Sequence, residues 1–196
     1  MFGKVKFPEK KVSRHSTLAD RTGMGLLVVD IQEKFRPAIA DFDAIARKAA
    51  ILIKAFQMYQ LPILVTEQYP EGLGKTVREI AECFPILEVT EKLAFSCMQH
   101  EPFVAKLEAL EIRNLVVCGI EAHVCVHQTV HDLFHEGYRV WVPQDAIGSR
   151  DPANRELAVA RMMKAGILVT SVEMLLFEMA FQAGTESFRQ IQKMVK

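Results

Sequence analysis

Two rhythms of apolar positions alternate along the chain. Short continuous apolar runs occur at Met24–Val29, Ile63–Val65, Ile86–Val89, Leu115–Val117, Tyr138–Val142 and Ile167–Thr170. Runs of this length, bounded by Gly, Pro or charged residues, predict strands buried on both faces. Between them, apolar residues recur every three or four positions. Ile45, Ala49, Leu52, Ile53 and Phe56 predict one helix, capped by Asp41 or Asp43 and ending near Gln60. A short helix is predicted over 76–83. Glu101-Pro102 opens another, with Phe103, Leu107 and Leu110 turned inward. Val126, Val130, Leu133 and Phe134 share a helix face that Gly137 terminates. Asp151-Pro152 caps a helix running to Lys164 and stopped by Gly166, and Ser171 starts the next. Phe188, Ile191 and Val195 predict a final helix within 185–196. Met162, Met163, Met174 and Met179 fall at helical spacing and read as core filler. Residues 31–39, 67–74 and 95–100 read as loops.

Strands alternate with helices throughout, without repeats or a linker. That order predicts one α/β domain over 23–196: a three-layer α/β/α arrangement around a Rossmann-like, six-stranded parallel sheet. Such folds carry their sites at the C-terminal ends of the strands. Asp30, the 67–74 loop, Lys92 and the 119–125 turn all fall at such ends.

Composition narrows the classes. Of 196 residues half are hydrophobic, enough for a large core. Lys plus Arg equals Asp plus Glu, 24 against 24, which leaves no electrostatic footprint for nucleic acid or an anionic membrane. No apolar run approaches the ~20 residues that span a bilayer. Residues 1–22 are mildly basic and lack the apolar core of a secretory signal, so they read as a surface arm. A mitochondrial presequence is the weaker alternative, because the basic residues form no clean amphipathic helix. The four cysteines show no metal-type pairing, and without a secretory signal reduced thiols in a cytoplasmic setting are expected.

Cys125 is the residue with most chemical potential. It falls in the first turn of a helix, where unpaired backbone N–H groups and the helix dipole lower a thiol pKa and hold a developing oxyanion. The bland alternative is a small buried hydrophobe. Asp30 and Lys92, each at a strand end, supply a base for the thiol and a counter-charge for the thiolate. Alone, Asp30 would read as a cap and Lys92 as a solvated surface lysine. Cys118 lies inside a strand and reads as inert core; Cys97, in the loop after Lys92, lacks a helix start. His127, His131 and His135 share a helix face, a spacing that can bind metal, but no further ligand is placed beside them.

Three blocks carry a family resemblance: Val28-Val29-Asp30-Ile31-Gln32, then Glu91-Lys92 before Phe95, then Gly119-Ile120-Glu121-Ala122-His123-Val124-Cys125-Val126. Together they resemble the isochorismatase-like cysteine hydrolases, a family that includes nicotinamidases and N-carbamoylsarcosine amidohydrolase. The tail 145–173 resembles it too, so the likeness spans about 24–180. It implies Asp30, Lys92 and Cys125 as a catalytic triad, a cis peptide between Ile120 and Glu121, and an oxyanion hole formed by the N–H groups of Glu121 and Cys125. It also implies a homo-oligomer, a dimer or tetramer.

The chain departs from the nicotinamidases at Thr66-Glu67-Gln68-Tyr69-Pro70, which lacks their metal-binding histidines. No metal or other cofactor is therefore expected, nor is nicotinamide. The loop through Gly74 is similar instead to a subgroup of isochorismatase-domain proteins of poorly defined substrate. Isochorismatase itself cleaves a vinyl ether and lacks the cysteine. The reading is a hydrolase of a small amide-like C–N bond acting through a Cys125 thioester. Ester or vinyl-ether hydrolysis on the same fold, and a catalytically idle binding or assembly domain, stay open. The substrate is a small molecule. Phe35, Gln68, Tyr69, Phe95, His123 and Val124 are the expected pocket walls, with core or loop packing as the competing role.

Overall fold

The computed structural model describes residues 13–196. Seven parallel strands form one sheet. They are β1 (Met24–Val29), β2 (Ile63–Gln68), β3 (Thr90–Lys92), β4 (Asn114–Ile120), β5 (Arg139–Pro143), β6 (Ile147–Gly148) and β7 (Leu168–Thr170). The order is β3-β2-β1-β4-β5-β7, with the two-residue β6 pairing only with β4. The six expected strands thus carry the sheet, and the seventh is an addition too short to leave a periodic signal.

The helices are α1 (Phe42–Met58), α2 (Pro70–Leu73), α3 (Arg78–Ala81), α4 (Glu101–Ala109), α5 (His127–His135), α6 (Pro152–Ala165), α7 (Val172–Ala180) and α8 (Glu186–Val195). They cover both faces. Leu26 and Val28 of β1 join the cluster of α1, α7 and α8, while Leu27 and Val29 join that of α4, α5 and α6. All six β1 residues are buried, as the continuous apolar run requires. Met162 and Met179 are core residues, but Met163 and Met174 face outward at 56% and 57% exposure; Met163 directly follows Met162, and adjacent residues on a helix cannot share one face. Asp151 and Ser171 cap their helices through Ala153 N–H and Met174 N–H. Asp41 sits at the N-cap of α1 without a side-chain cap bond.

Three boundaries differ from the sequence reading. The third strand is Thr90–Lys92 and not 86–89: Ile86 is 83% exposed, and backbone pairing begins only where the end of β2 offers a partner, Thr66 opposite Thr90. β2 itself runs on through Glu67 and Gln68. Glu67 tolerates a 2%-exposed position because its Oε1 accepts hydrogen bonds from the Thr76 N–H and hydroxyl. Gly119 does not break its strand. It continues β4 opposite Val29, and a Cβ there would stand 2.0 Å from the Val29 carbonyl oxygen. The glycine allows two strand ends to meet.

The expected arm, 1–22, divides in two. Residues 1–12 lie outside the described residues. Residues 13–22 are tied to the domain: Trp141 Nε1 donates to Thr17 O at 3.1 Å, Arg14 donates to Ala19 O and Glu178 O, and Ala19 is fully buried. No helix of the described residues is long and apolar enough to cross a membrane.

A Gly119→Ala substitution meets both a backbone clash and a φ of +123°. It is expected to cost about 2–5 kcal/mol, read as a fall in denaturation midpoint. A variant within 0.5 kcal/mol of the parent would contradict this account of the β1–β4 contact.

Candidate active site

Strand order places the candidate site. Running outward from β1, the chain winds one way through β2 and β3 and the other way through β4 and β5. The β1–β4 boundary is therefore the switch point, where a crevice opens at the carboxyl ends of the strands. Asp30 follows β1 directly. The segment bearing Cys125 follows β4. Lys92 ends β3, two strands away, and reaches back over β2.

Lys92 and Asp30 form an ion pair of 2.7 Å between Nζ and Oδ2, with side chains 0% and 1% exposed. Lys92 Nζ also donates to Gln68 Oε1 at 2.9 Å and to the Phe95 carbonyl at 3.3 Å. The Thr66 hydroxyl donates to the other Asp30 oxygen at 2.7 Å. A charge pair this deep survives because each ion is also hydrogen-bonded. Asp30 turns at φ +50°, a left-handed conformation that Asp adopts more readily than most residues.

The Ile120–Glu121 peptide is cis. From Glu121 the chain enters one π-helical turn, Ala122–Val126, before α5. Cys125 lies in that wider turn, 6% exposed, with its Sγ 3.9 Å from Gln68 Oε1. The Glu121 carboxylate accepts from the Arg150 N–H and Nε, both at 3.0 Å.

The helix start was expected to lower the Cys125 pKa. Burial reverses that balance: desolvation first, and then the Asp30 carboxylate, push the thiol well up, while Lys92 pulls the other way. The balance favours keeping the proton on the sulfur. Burial alone would lower Lys92, yet the Asp30 carboxylate beside it holds the ammonium above its usual range. Burial pushes Cys97 to about 11 and Cys118 to about 12, and both are fully enclosed.

The expected pocket walls separate. Gln68 stands within the ion-pair network. Phe95 contributes its carbonyl, the residue being 52% exposed. Tyr69 and Leu93 flank a groove of about 810 Å³ whose wall also includes Lys92, Glu91 and His100. Neither Asp30 nor Cys125 lines that groove. Phe35, half-buried, packs against the α1-side core and Val124, also half-buried, against the α5-side core. His123 Nδ1 meets the Ser149 hydroxyl at 2.9 Å. The sequence reading missed Gln32, fully buried and hydrogen-bonded to the Gln68 backbone. A polar residue two positions after a strand-end Asp was the available signal.

The His127 and His131 rings lie 4.1 Å apart, tilted by 47°, and His135 is exposed. Among the described residues, no group of three or more His, Cys, Asp and Glu side chains is arranged to hold a metal. Burial first, then the charges of His131, Arg161 and His123, lower the His127 pKa from 6.5 to about 4.

Two outcomes follow from these charges. Lys92→Met strands Asp30 without its partner and should cost about 3–5 kcal/mol in chemical denaturation. His127 is neutral when folded but takes a proton when unfolded below its ordinary pKa, so its contribution is present above pH 6.5 and is lost as pH falls toward 4. His127→Gln should flatten the stability profile in that window; an unchanged slope would refute the assignment.

The sequence profile of the Isochorismatase domain matches residues 24–174. The Mus musculus isochorismatase domain-containing protein 2A is 37% identical over 173 residues, covering 87% of this chain and 82% of the relative. Among solved structures, the Caenorhabditis elegans MAR1 ribonuclease is 36% identical with a TM-score of 0.83, covering 90% of this chain and 91% of that one. YcaC from Pseudomonas aeruginosa, solved with covalent acrylamide, is 26% identical with a TM-score of 0.84, covering 93% of each chain. With the profile over most of its length and relatives above one-third identity, this chain belongs to the isochorismatase-like hydrolase family.

Proposed function

We propose that the protein hydrolyses a small amide-like C–N bond through a thioester on Cys125, with Asp30 as general base and acid and Lys92 as its counter-charge. The observation that carries the reading is the buried Asp30–Lys92 pair, 2.7 Å apart, in the same network as the Cys125 sulfur. A fully enclosed ion pair contributes little net stability, so its position beside a thiol favours a chemical role.

The Cys125 thiol passes its proton to Asp30 as the sulfur attacks the carbonyl carbon. The carbonyl oxygen becomes an oxyanion, held by the N–H groups of Glu121 and Cys125. Collapse breaks the C–N bond, and Asp30 gives its proton to the departing amine. Water then attacks the thioester while Asp30 takes one of its protons, and collapse returns the thiol and a carboxylic acid. Asp30 has capacity for this, since each of its oxygens accepts one hydrogen bond from Thr66 or Lys92 and retains a further lone pair. Lys92 keeps the carboxylate ionised between proton transfers. Exposed Tyr69, Leu93 and Phe95 near the site suit contact with a second copy of the chain in a homo-oligomer.

A second reading comes from the nematode structure named as a ribonuclease. The balanced net charge and the enclosed thiol favour a small substrate over RNA. A panel of small amides assayed for released ammonia tests the first reading. Cys125→Ala should lower turnover by at least ~10³-fold, and quenched parent enzyme should carry an acyl mass on the Cys125 peptide. Full turnover by Cys125→Ala, or cleavage of RNA without any amide hydrolysis, would overturn it.

A further inference from the structure

We propose that Gln32 is a positioning residue, acting through Gln68 to set the reactivity of Cys125. The proposal rests on the cysteine-hydrolase reading above and adds a residue that does not itself touch the thiol, Asp30 or Lys92 through any hydrogen bond described here.

Gln32 lies just beyond the end of the β1–β2 ladder. Paired residues run from Leu26 opposite Ile63 to Val29 opposite Thr66, and Asp30 N–H still donates to Thr66 O at 3.2 Å. Asp30 then turns to positive φ and the two backbones part. Beyond that point β2 would have no partner on its β1 side. The Gln32 side chain takes that place. Its Oε1 accepts from the Gln68 N–H at 2.8 Å, and its Nε2 donates to the Gln68 carbonyl at 3.1 Å. A carboxamide has the donor and acceptor of a peptide group, so it can stand in for one rung of a sheet. The same Nε2 donates to Gly74 O at 2.6 Å, which anchors the loop that follows α2. Gln32 is 0% exposed, and its two bonds to the Gln68 backbone are made away from water.

The clamped residue is the one between the reacting groups. Across the sheet, Gln68 lies opposite Lys92 on its other side. Its own Nε2 donates to Leu93 O at 2.8 Å, which orients the amide and aims Oε1 at Lys92 Nζ and the Cys125 sulfur. That oxygen acts on the thiol in two ways. It accepts from the neutral S–H, and it engages one of the three protons of the Lys92 ammonium. Both effects disfavour the thiolate. Gln32 therefore fixes how far the thiol proton is held back until Asp30 takes it. Gln68 touches the reacting groups, whereas Gln32 acts only by holding Gln68.

The test uses iodoacetamide alkylation of Cys125 against pH, resolved by peptide mass mapping in the full chain carrying Cys83→Ala, which removes the partly exposed thiol. Gln68→Leu is expected to shift the alkylation midpoint down by about one pH unit, a roughly tenfold faster reaction at a fixed pH below it. Gln32→Leu is expected to move the midpoint in the same direction by at least half as much, and the double variant no further than Gln68→Leu alone. A purely structural Gln32 would lower the denaturation midpoint and leave the alkylation profile in place, which overturns the proposal. Should Gln32→Leu fail to fold, Gln32→Met is read in the same way. A Gln68→Leu profile superimposable on the parent's overturns the proposal whatever Gln32 does. Amide turnover separates the two claims: full turnover by Cys125→Ala defeats the cysteine-hydrolase reading, whereas lost turnover there with unmoved Gln32 and Gln68 profiles defeats only the positioning role.

Discussion

The carboxyl ends of four strands depend on one constraint: a carboxylate and an ammonium are held together out of water. Neither Asp30 nor Lys92 would be tolerated singly at such depth. Together they require that β1 and β3, which are not neighbours in the sheet, end at the same height. β2 must then supply polar groups at its own end. Thr66 binds the carboxylate and Gln68 binds the ammonium, from alternate positions of one strand that place their side chains on the same face. Thus the ion pair explains why β2 finishes on polar residues after an apolar start.

The same constraint accounts for the neighbourhood of the thiol. β4 lies against β1 on the side opposite β2, and Gly119 lets its end approach the Val29 carbonyl. The chain can then leave β4 through one π turn that sets Cys125 next to the pair. Without that approach the helix would begin farther from Asp30. The thiol sits between opposing influences, with burial and the carboxylate favouring the protonated form and the ammonium favouring the thiolate. Such a balance suits a nucleophile that loses its proton only when a neighbouring base takes it.

Much of this was legible in the residues themselves. Asp30 stands directly after an apolar run, and Lys92 and Cys125 follow others, so a parallel α/β order sufficed to send all three to one end of the sheet. The expected pocket was less legible. Phe35 and Val124 look like pocket walls because they are apolar residues in loops near the key blocks, and both also pack, half-buried, against the edges of the two cores. A hydrophobic residue in a loop carries no mark of which side it will take. The pKa of Cys125 was similarly beyond a local reading, since a helix start argues for a lowered value and the extent of burial, which reverses it, depends on distant segments.

By itself the chain determined its fold class, the strand-end positions of Asp30, Lys92 and Cys125, and most helix limits, because these follow from periodicity, capping and short blocks of neighbouring residues. Tertiary structure alone decided that Lys92 crosses β2 to reach Asp30, that Gly119 continues a strand where it seemed to end one, and that Gln32 takes the place of a missing rung beside Gln68. The physical reason is common to the three. Each is a relation between segments 30 or more residues apart, set by sheet order and by the need to satisfy buried polar groups, and none of the three is written in any local pattern.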